Sequence, residues 1–429
     1  MRASPSVFMA FYYFFAALLL LQAILSLRGG ARYLRYFRRE LSSAPAPDFT
    51  PYATVIVPCR GLDQNLRENL AALFRQTYPA FEIVFVVDST GDPALKVIEE
   101  VRSTTASSRT VLSRVVVAGR AIGSGQKVHN LIAAVGAADV RSEVFVFVDS
   151  DARPHGEWLR ALVAVLADER IGAATGYRWF IPAGSVPSHL RAVWNASIAS
   201  ALGENTRANF CWGGSTAIRR ETFTRLDMLQ RWRGTLSDDF ALTRALQEAQ
   251  LPIHFAPRCL VASHEDSGWR ELLEFTTRQL KITRVYAPRL WLIVLVSNLL
   301  FVTVFYGGLA LALSRFGRGL PYMLPLALVA AVYVFGSAKA ILRLRAVSLA
   351  FKSGQQVWRA ASIMAHLLLW PLSSALFLYN ALAARCSRRI RWRGIDYELK
   401  SPTETVIIDA TQPVDAAPGR EQTRRTRTP

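Results

Sequence analysis

Cysteine is nearly absent. Cys59, Cys211, Cys259 and Cys386 are the only four in 429 residues, and no two form a CxxC pair. That excludes a disulfide framework and a zinc finger or ribbon, and it fits reduced thiols on the cytoplasmic side of a membrane. Acidic residues are also short: 32 Asp and Glu against 51 Lys and Arg leave a formal net charge of +19. A nucleic-acid binder is sometimes this basic, but half of this chain is apolar and much of that lies in long runs, which a soluble binder lacks. Charge is missing altogether from Phe8 to Leu27, about the length of one membrane span. Arg28, Arg32, Arg35, Arg38 and Arg39 follow that run and place its end in the cytoplasm. A cleaved leader would have a shorter apolar core with its basic cluster on the other side.

Three later stretches, Leu290 to Ser314, Leu320 to Leu342 and Ala360 to Ala384, are each long enough to span a bilayer. The third is broken at Trp370-Pro371. One span before the central region and three after it would put Arg385, Arg388, Arg389, Arg391 and Arg393 outside, against the positive-inside rule. A re-entrant hairpin at Pro371 or an interfacial helix is the alternative. These features divide the chain into an N-terminal span with its basic flank (1–43), a central domain (44–268), an amphipathic interfacial helix (269–289), a C-terminal membrane region (290–384) and a basic cytoplasmic segment with a disordered tail from Ala410 (385–429). The segment Ala44 to Pro51 reads as a Pro-rich linker.

What is present is organised around Val144-Phe145-Val146-Phe147-Val148-Asp149-Ser150-Asp151. An apolar run of this kind reads as a strand buried on both faces of a parallel sheet. It ends in two carboxylates one residue apart, which an extended chain points the same way. Sites of open α/β sheets lie beyond the carboxyl ends of strands, so Asp149 and Asp151 are candidate ligands for a hard cation, Mg²⁺ or Mn²⁺, together with a diphosphate. An Asp-rich turn closing a strand is the plainer alternative. Strand-like runs at Thr54–Val57, Phe81–Val87, Thr110–Val117, Gly172–Phe180 and Thr216–Ile218 alternate with helical spacing at Leu66–Gln76, Ala94–Arg102, Val128–Ala138 and Trp158–Leu166. That alternation predicts βαβ units in a mostly parallel sheet. Ile253–Phe255 and Leu260–Ala262 read as two short strands, Ser237 and Asp238 as caps of a helix from Phe240 to Ala249, and Trp269 to Tyr286 as a basic amphipathic helix.

The order of these features resembles an inverting family-2 glycosyltransferase with the GT-A fold, closest to the membrane ceramide glucosyltransferase branch and the hopanoid-associated transferases. The resemblance runs from about Tyr52 to Tyr286. It is carried by Val57-Pro58-Cys59-Arg60-Gly61, Gln76-Thr77-Tyr78-Pro79, Asp92-Pro93-Ala94, Lys127-Val128-His129-Asn130, Asp149-Ser150-Asp151, Gly214-Ser215-Thr216-Ala217-Ile218-Arg219-Arg220-Glu221 and Ser237-Asp238-Asp239.

The resemblance implies roles for these residues. Asp239 is the catalytic base, Asp149 and Asp151 hold a divalent cation, and Pro58, Arg60, Asp88, Lys127 and Asp149 bind the nucleotide sugar. Cys211, Trp212, Gly213, Gly214 and Asp238 border the acceptor or sugar. The family's closing Gln/Arg-x-x-Arg-Trp is represented by Arg278 and Lys281, with Ile282 in place of Trp and Arg284 nearby, and these three are assigned to the diphosphate. His264 and Glu265 stand where a supporting residue would help. Arg391-Trp392-Arg393-Gly394 resembles a segment that this branch keeps in the cytoplasm. The implied activity is transfer of a sugar from a nucleotide sugar to a membrane lipid, by an integral protein of a bacterial-type inner membrane, with no nucleic-acid partner. A processive polysaccharide synthase and a non-catalytic nucleotide-binding scaffold are the alternatives.

Overall fold

The computed structural model describes residues 5–43, 48–105, 111–351 and 357–410. Helix α1 (Pro5–Ser42) carries the first apolar run and continues well past it. The central domain then alternates as expected: β1 (Ala53–Pro58), α2 (Leu66–Phe74), β2 (Phe81–Val87), α3 (Pro93–Thr105), β3 (Leu112–Val117), α4 (Gln126–Gly136), β4 (Val144–Phe147), α5 (Trp158–Ala164) and β5 (Ala173–Phe180). Next come α6 (Val186–Ala199), β6 (Thr216–Arg219), α7 (Arg220–Arg225), α8 (Met228–Trp232), α9 (Asp238–Glu248), β7 (Ile253–Ser263) and α10 (Trp269–Tyr286).

One seven-stranded sheet runs β3-β2-β1-β4-β6-β5-β7. Only β6 is antiparallel to its neighbours, so β1, β2, β4, β5 and β7 share one direction. β2, β4 and β5 are buried throughout, as the Val, Ile and Phe of β2 and β4 require, while the edge strand β3 is partly exposed. The two short strands expected at 253–255 and 260–262 are one strand, β7, whose pairing with β5 slips between Thr175 and Tyr177. Pro257 sits in that stretch and has no N–H to give to a ladder.

Beyond the sheet, α11 (Pro288–Phe316) and α12 (Met323–Ala350) follow, and with α1 they are, among the described residues, the three single helices long and apolar enough to cross a membrane. The third C-terminal stretch is two helices, α13 (Ala360–Leu368) and α14 (Trp370–Cys386), bent by 59° at the Trp370-Pro371 break. Pro371 removes a backbone donor at the start of α14, which is where a bend is tolerated. α14 leans on the central domain: Trp194 of α6 stacks on Phe377, and Thr276 and Thr277 of α10 donate to Asn380.

The basic segment after α14 is not merely a flank. It folds as a small antiparallel sheet, β8 (Arg389–Trp392), β9 (Ile395–Ser401) and β10 (Glu404–Ala410). This sheet packs Ile390, Ile395, Tyr397 and Leu399 against Leu236 and Ile282 of the central domain. The small sheet thus touches the central domain. By length and composition the bent pair is either one broken span or a re-entrant loop. The tail from residue 411 and the linker at 44–47 lie outside the described residues.

Candidate active site

Three parallel strands deliver their carboxyl ends to one edge. β1 ends at Pro58 and leads to Arg60, β2 leads to Asp88, and β4 leads to Asp149 and Asp151. Arg60 pairs with buried Asp88. Asp92 accepts from the N–H groups of Gly61 and Ala94, which fixes the loop after β1 against the start of α3. After β4 the chain turns, with Ala152 N donating to the Asp149 carbonyl, and presents both carboxylates.

Both carboxylates converge on one cation, the guanidinium of Arg178 from β5. It lies 3.3 Å from Asp149 Oδ2 and 3.2 Å from Asp151 Oδ2. The guanidinium also stacks over Trp212, 4.9 Å from the ring centre. On the other side of Asp149, Lys127 Nζ sits 2.8 Å from Oδ1 and 3.1 Å from Asp238 Oδ1. Lys127 occupies the first turn of α4, whose N-terminal N–H at Gln126 donates to Tyr397 Oη of the small C-terminal sheet. Gly213 passes directly over the Lys127–Asp238 pair, and a Cβ there would strike Asp238 and Lys127. The two acids beside Lys127 outweigh its burial and hold it protonated.

Asp238 and Asp239 open α9, with Ser237 as the N-cap accepting from Phe240 N. Tyr286 Oη accepts from the N–H groups of Leu236 and Ser237 and so sets this turn. The two acids differ. Asp238 is 5% exposed and committed to Lys127; burial, with Asp239 and Asp149 beside it, pushes it up to about 6 against the pull of Lys127. Asp239 is only half-buried and has no ion pair among the described residues; its Oδ1 accepts from Ser237 Oγ and Phe240 N.

The small sheet closes the cleft from the other side. Trp392 and Ile395 pair across a two-residue hairpin whose loop is Arg393 and Gly394, both at positive φ (48° and 77°), the pattern of a type I′ turn. That turn drives Arg393 into the central domain: it pairs with Asp63 at 2.7 Å and donates to the Arg60 carbonyl at 2.6 Å. Ser150, between the two carboxylates, donates to the other oxygen of Asp63 at 2.6 Å. Burial acts to raise Asp151, but Arg178 and Arg393 outweigh it and hold Asp151 below the usual carboxylate range. Glu265, at the end of β7, pairs with Arg191 at 3.1 Å; burial and Asp151 push it up to about 7. Arg278 stacks over Phe275 and Trp392 and makes no ion pair among the described residues. Burial, Arg393 and Arg178 lower it to about 10.

A family model described as Glycosyl transferase family 21 matches residues 13–405. The chain belongs to that family. Its mostly parallel sheet, with the Asp149-Ser150-Asp151 turn at the end of β4, is the GT-A arrangement that the sequence predicted. A 93-residue segment of this family-21 chain is 37% identical to ceramide glucosyltransferase 1 of Caenorhabditis elegans, over 21% of this chain and 19% of that one. The match thus spans about a fifth of the curated relative's length. Among solved structures, the mannosyltransferase PcManGT of Pyrobaculum calidifontis, in complex with GDP-Man and Mn²⁺, covers 87% of this chain and 98% of its own at 17% identity and a TM-score of 0.46. Glucosyl-3-phosphoglycerate synthase of Mycobacterium tuberculosis, in complex with Mn²⁺ and UDP-Glc, covers 56% of this chain and 79% of its own at 15% identity and a TM-score of 0.36.

Within the family-21 chain, Lys127, Asp149, Asp151, Trp212, Gly213 and Asp238 are drawn together around Lys127 and Arg178, with Asp239 next to Asp238. Pro58, Arg60 and Asp88 lie at the neighbouring strand ends, tied in by Arg393, and Arg278 meets that hairpin through Trp392. Cys211 and Gly214 support it from behind: Cys211 is buried with its N–H on Thr243, and Gly214 packs on the Trp212 ring. Lys281 and Arg284 do not reach the diphosphate place assigned to them. Lys281 donates to the Arg389 carbonyl at 2.7 Å, and Arg284 to the Ala384 carbonyl at 2.6 Å, a last-turn carbonyl of α14 that has no helical partner. The residues missed were Arg178, Arg393 and Asp63. Arg178 had a visible signal, a lone charge in the aromatic strand Tyr177-Arg178-Trp179-Phe180.

Among the described residues no group of three or more His, Cys, Asp or Glu is arranged to hold a metal. Yet Asp149 and Asp151 already converge on a single cation, with Arg178 standing in that place. Two carboxylates fit a divalent ion that takes its remaining ligands from phosphates and water.

Proposed function

We propose that this family-21 chain moves a sugar from a nucleotide sugar, a uridine diphosphate hexose, onto the hydroxyl of a membrane lipid, inverting the anomeric centre. The observation that carries the reading is the Lys127 bridge between Asp149 and Asp238, which joins the end of β4 to the start of α9. It ties the strand edge proposed for the diphosphate to the turn that carries Asp239, an acid with no ion pair among the described residues, whose Oδ1 accepts from Ser237 Oγ and Phe240 N.

Asp149 and Asp151 would hold a divalent cation, which neutralises the leaving diphosphate. Arg278 and Arg393 supply cationic donors to the same phosphates, and Lys127 supports them from the floor of the cleft, where negative charge grows during transfer. Arg178, which stacks on Trp212, would give up Asp149 and Asp151 wherever those carboxylates held the cation. Asp239 takes the proton of the acceptor hydroxyl, and the deprotonated oxygen attacks the anomeric carbon as the diphosphate departs. Arg278 of α10 meets the C-terminal hairpin and α14 packs on α10, so a lipid hydroxyl arriving along α14 would reach this edge.

Lipid mass spectrometry of a host expressing the parent or Asp239→Asn tests this. A hexose-shifted lipid present with the parent and absent with the variant is expected. Equal lipid profiles in both hosts, with both proteins expressed, would contradict the proposal.

A further inference from the structure

Strand β5 has a second face. Arg178 points to the carboxylates, and the next residue, Trp179, points the other way, where it stacks parallel to the His366 ring of α13 at 5.7 Å. Behind that pair lies a recess lined by Trp179, His189, Leu344 and His366. Arg343 of α12, only 4% exposed, lies beyond that lining and meets it through His366. Arg343 donates one weak hydrogen bond, 3.4 Å to His366 Nδ1, and its Nε has no partner. Tyr33 Oη of α1, within electrostatic reach of Arg343, and His189 Nδ1 are also buried without a partner. One helical turn before Arg343, Lys339 donates only to Ser26 Oγ, at 2.8 Å.

Among the described residues no carboxylate pairs with Arg343 or Lys339. Two neighbouring cations, one of them buried, are costly to leave uncompensated. Their height along α1 is informative. Ser26, Gly30 and Tyr33 face Lys339 and Arg343, at the level where exposed Arg28 and Arg32 mark the end of the apolar run. Headgroup phosphates lie at that depth.

We infer that the junction of α1, α12 and α13 behind β5 is a binding site for the phosphate of an anionic phospholipid, held by Arg343 and Lys339. The guanidinium takes phosphate oxygens through Nε and one terminal nitrogen, as a planar fork does well. Lys339 is partly exposed and leaves the way in. The site is independent of the acceptor proposed above and needs only that α1 and α12 border a membrane.

The test is native mass spectrometry of the full chain in a phosphate-free maltoside detergent. Phosphatidylglycerol, diacylglycerol and inorganic phosphate are added one at a time. One phosphatidylglycerol per chain should be retained, and diacylglycerol should not. Arg343→Gln should weaken retention about tenfold, the scale of one charge-assisted bond, while Arg345→Gln on the exposed side of α12 leaves it unchanged. Lys339→Gln gives a second reading should Arg343→Gln not fold. Equal retention of diacylglycerol, or retention unaffected by both Arg343→Gln and Lys339→Gln, overturns the site. Displacement of the lipid by millimolar inorganic phosphate alone would make a free anion the ligand and overturn the lipid assignment.

Discussion

Two basic clusters lie on opposite faces of β5, and the protein neutralises them differently. In front, Lys127, Arg178 and Arg393 each have a carboxylate within 3.3 Å. Behind, Arg343 and Lys339 have none among the described residues. Apart from Arg278, the front cluster is closed on itself, so a ligand there would exchange partners: a cation must match what Arg178 and Lys127 give the carboxylates, and an anion what the carboxylates give them. The back cluster has nothing to exchange and gains only when an anion arrives. Balanced charge suits a site that binds and releases on every turnover, and unbalanced charge suits one that keeps its ligand.

Breaking the front balance should have the larger effects. Lys127→Met leaves Asp149 and Asp238 facing each other across an apolar side chain, and Asp238 then titrates higher still. Transfer should fall about a hundredfold, the scale of losing one charge aimed at a developing anion, as read from initial rates with labelled sugar donor. Next in size is Arg393→Ala. Removing the cation that the C-terminal hairpin brings to Asp63 should raise the KM for the sugar donor about tenfold. Arg393→Lys restores part of it, and Lys281→Gln, whose parent donates to β8, leaves it within about twofold.

The smallest effect is a pH dependence. Glu265 is pushed up to about 7 from an ordinary value of 4.5. A carboxyl raised in the folded state stabilises fully below its unfolded value and loses that contribution as the pH climbs through the folded one. Glu265→Gln should therefore gain on the parent between pH 6 and pH 8, by about 1 kcal/mol. Thermal midpoints at the two pH values check it, and a gap that narrows on raising the pH would contradict the assignment.

The strand ends were legible because local pattern determines them. Apolar runs that stop at Asp88 and at Asp149 cannot continue into solvent, and the alternation with helices places their ends on one edge. Arg393 was not legible as a site residue, because its partner Asp63 is 330 residues away and nothing local ties them. Only the Arg-Gly pair hinted at the turn, since a type I′ hairpin needs positive φ at both positions. Lys281 and Arg284 failed for the converse reason. Lys281 took the fourth place of a motif begun at Arg278 and Arg284 stood nearby as a substitute cation, but on α10 they meet β8 and the end of α14, where main-chain carbonyls accept their hydrogen bonds.

The central claim is that Asp149, Asp151 and Lys127 form a metal-assisted diphosphate site. Calorimetric titration of the purified full chain with UDP, with and without Mn²⁺, tests it most directly. The account predicts Mn²⁺-strengthened binding that loses its Mn²⁺ dependence in Asp149→Asn and weakens at least about tenfold in Lys127→Met. UDP binding that is the same in the parent and both variants, with Mn²⁺ or without it, would contradict it.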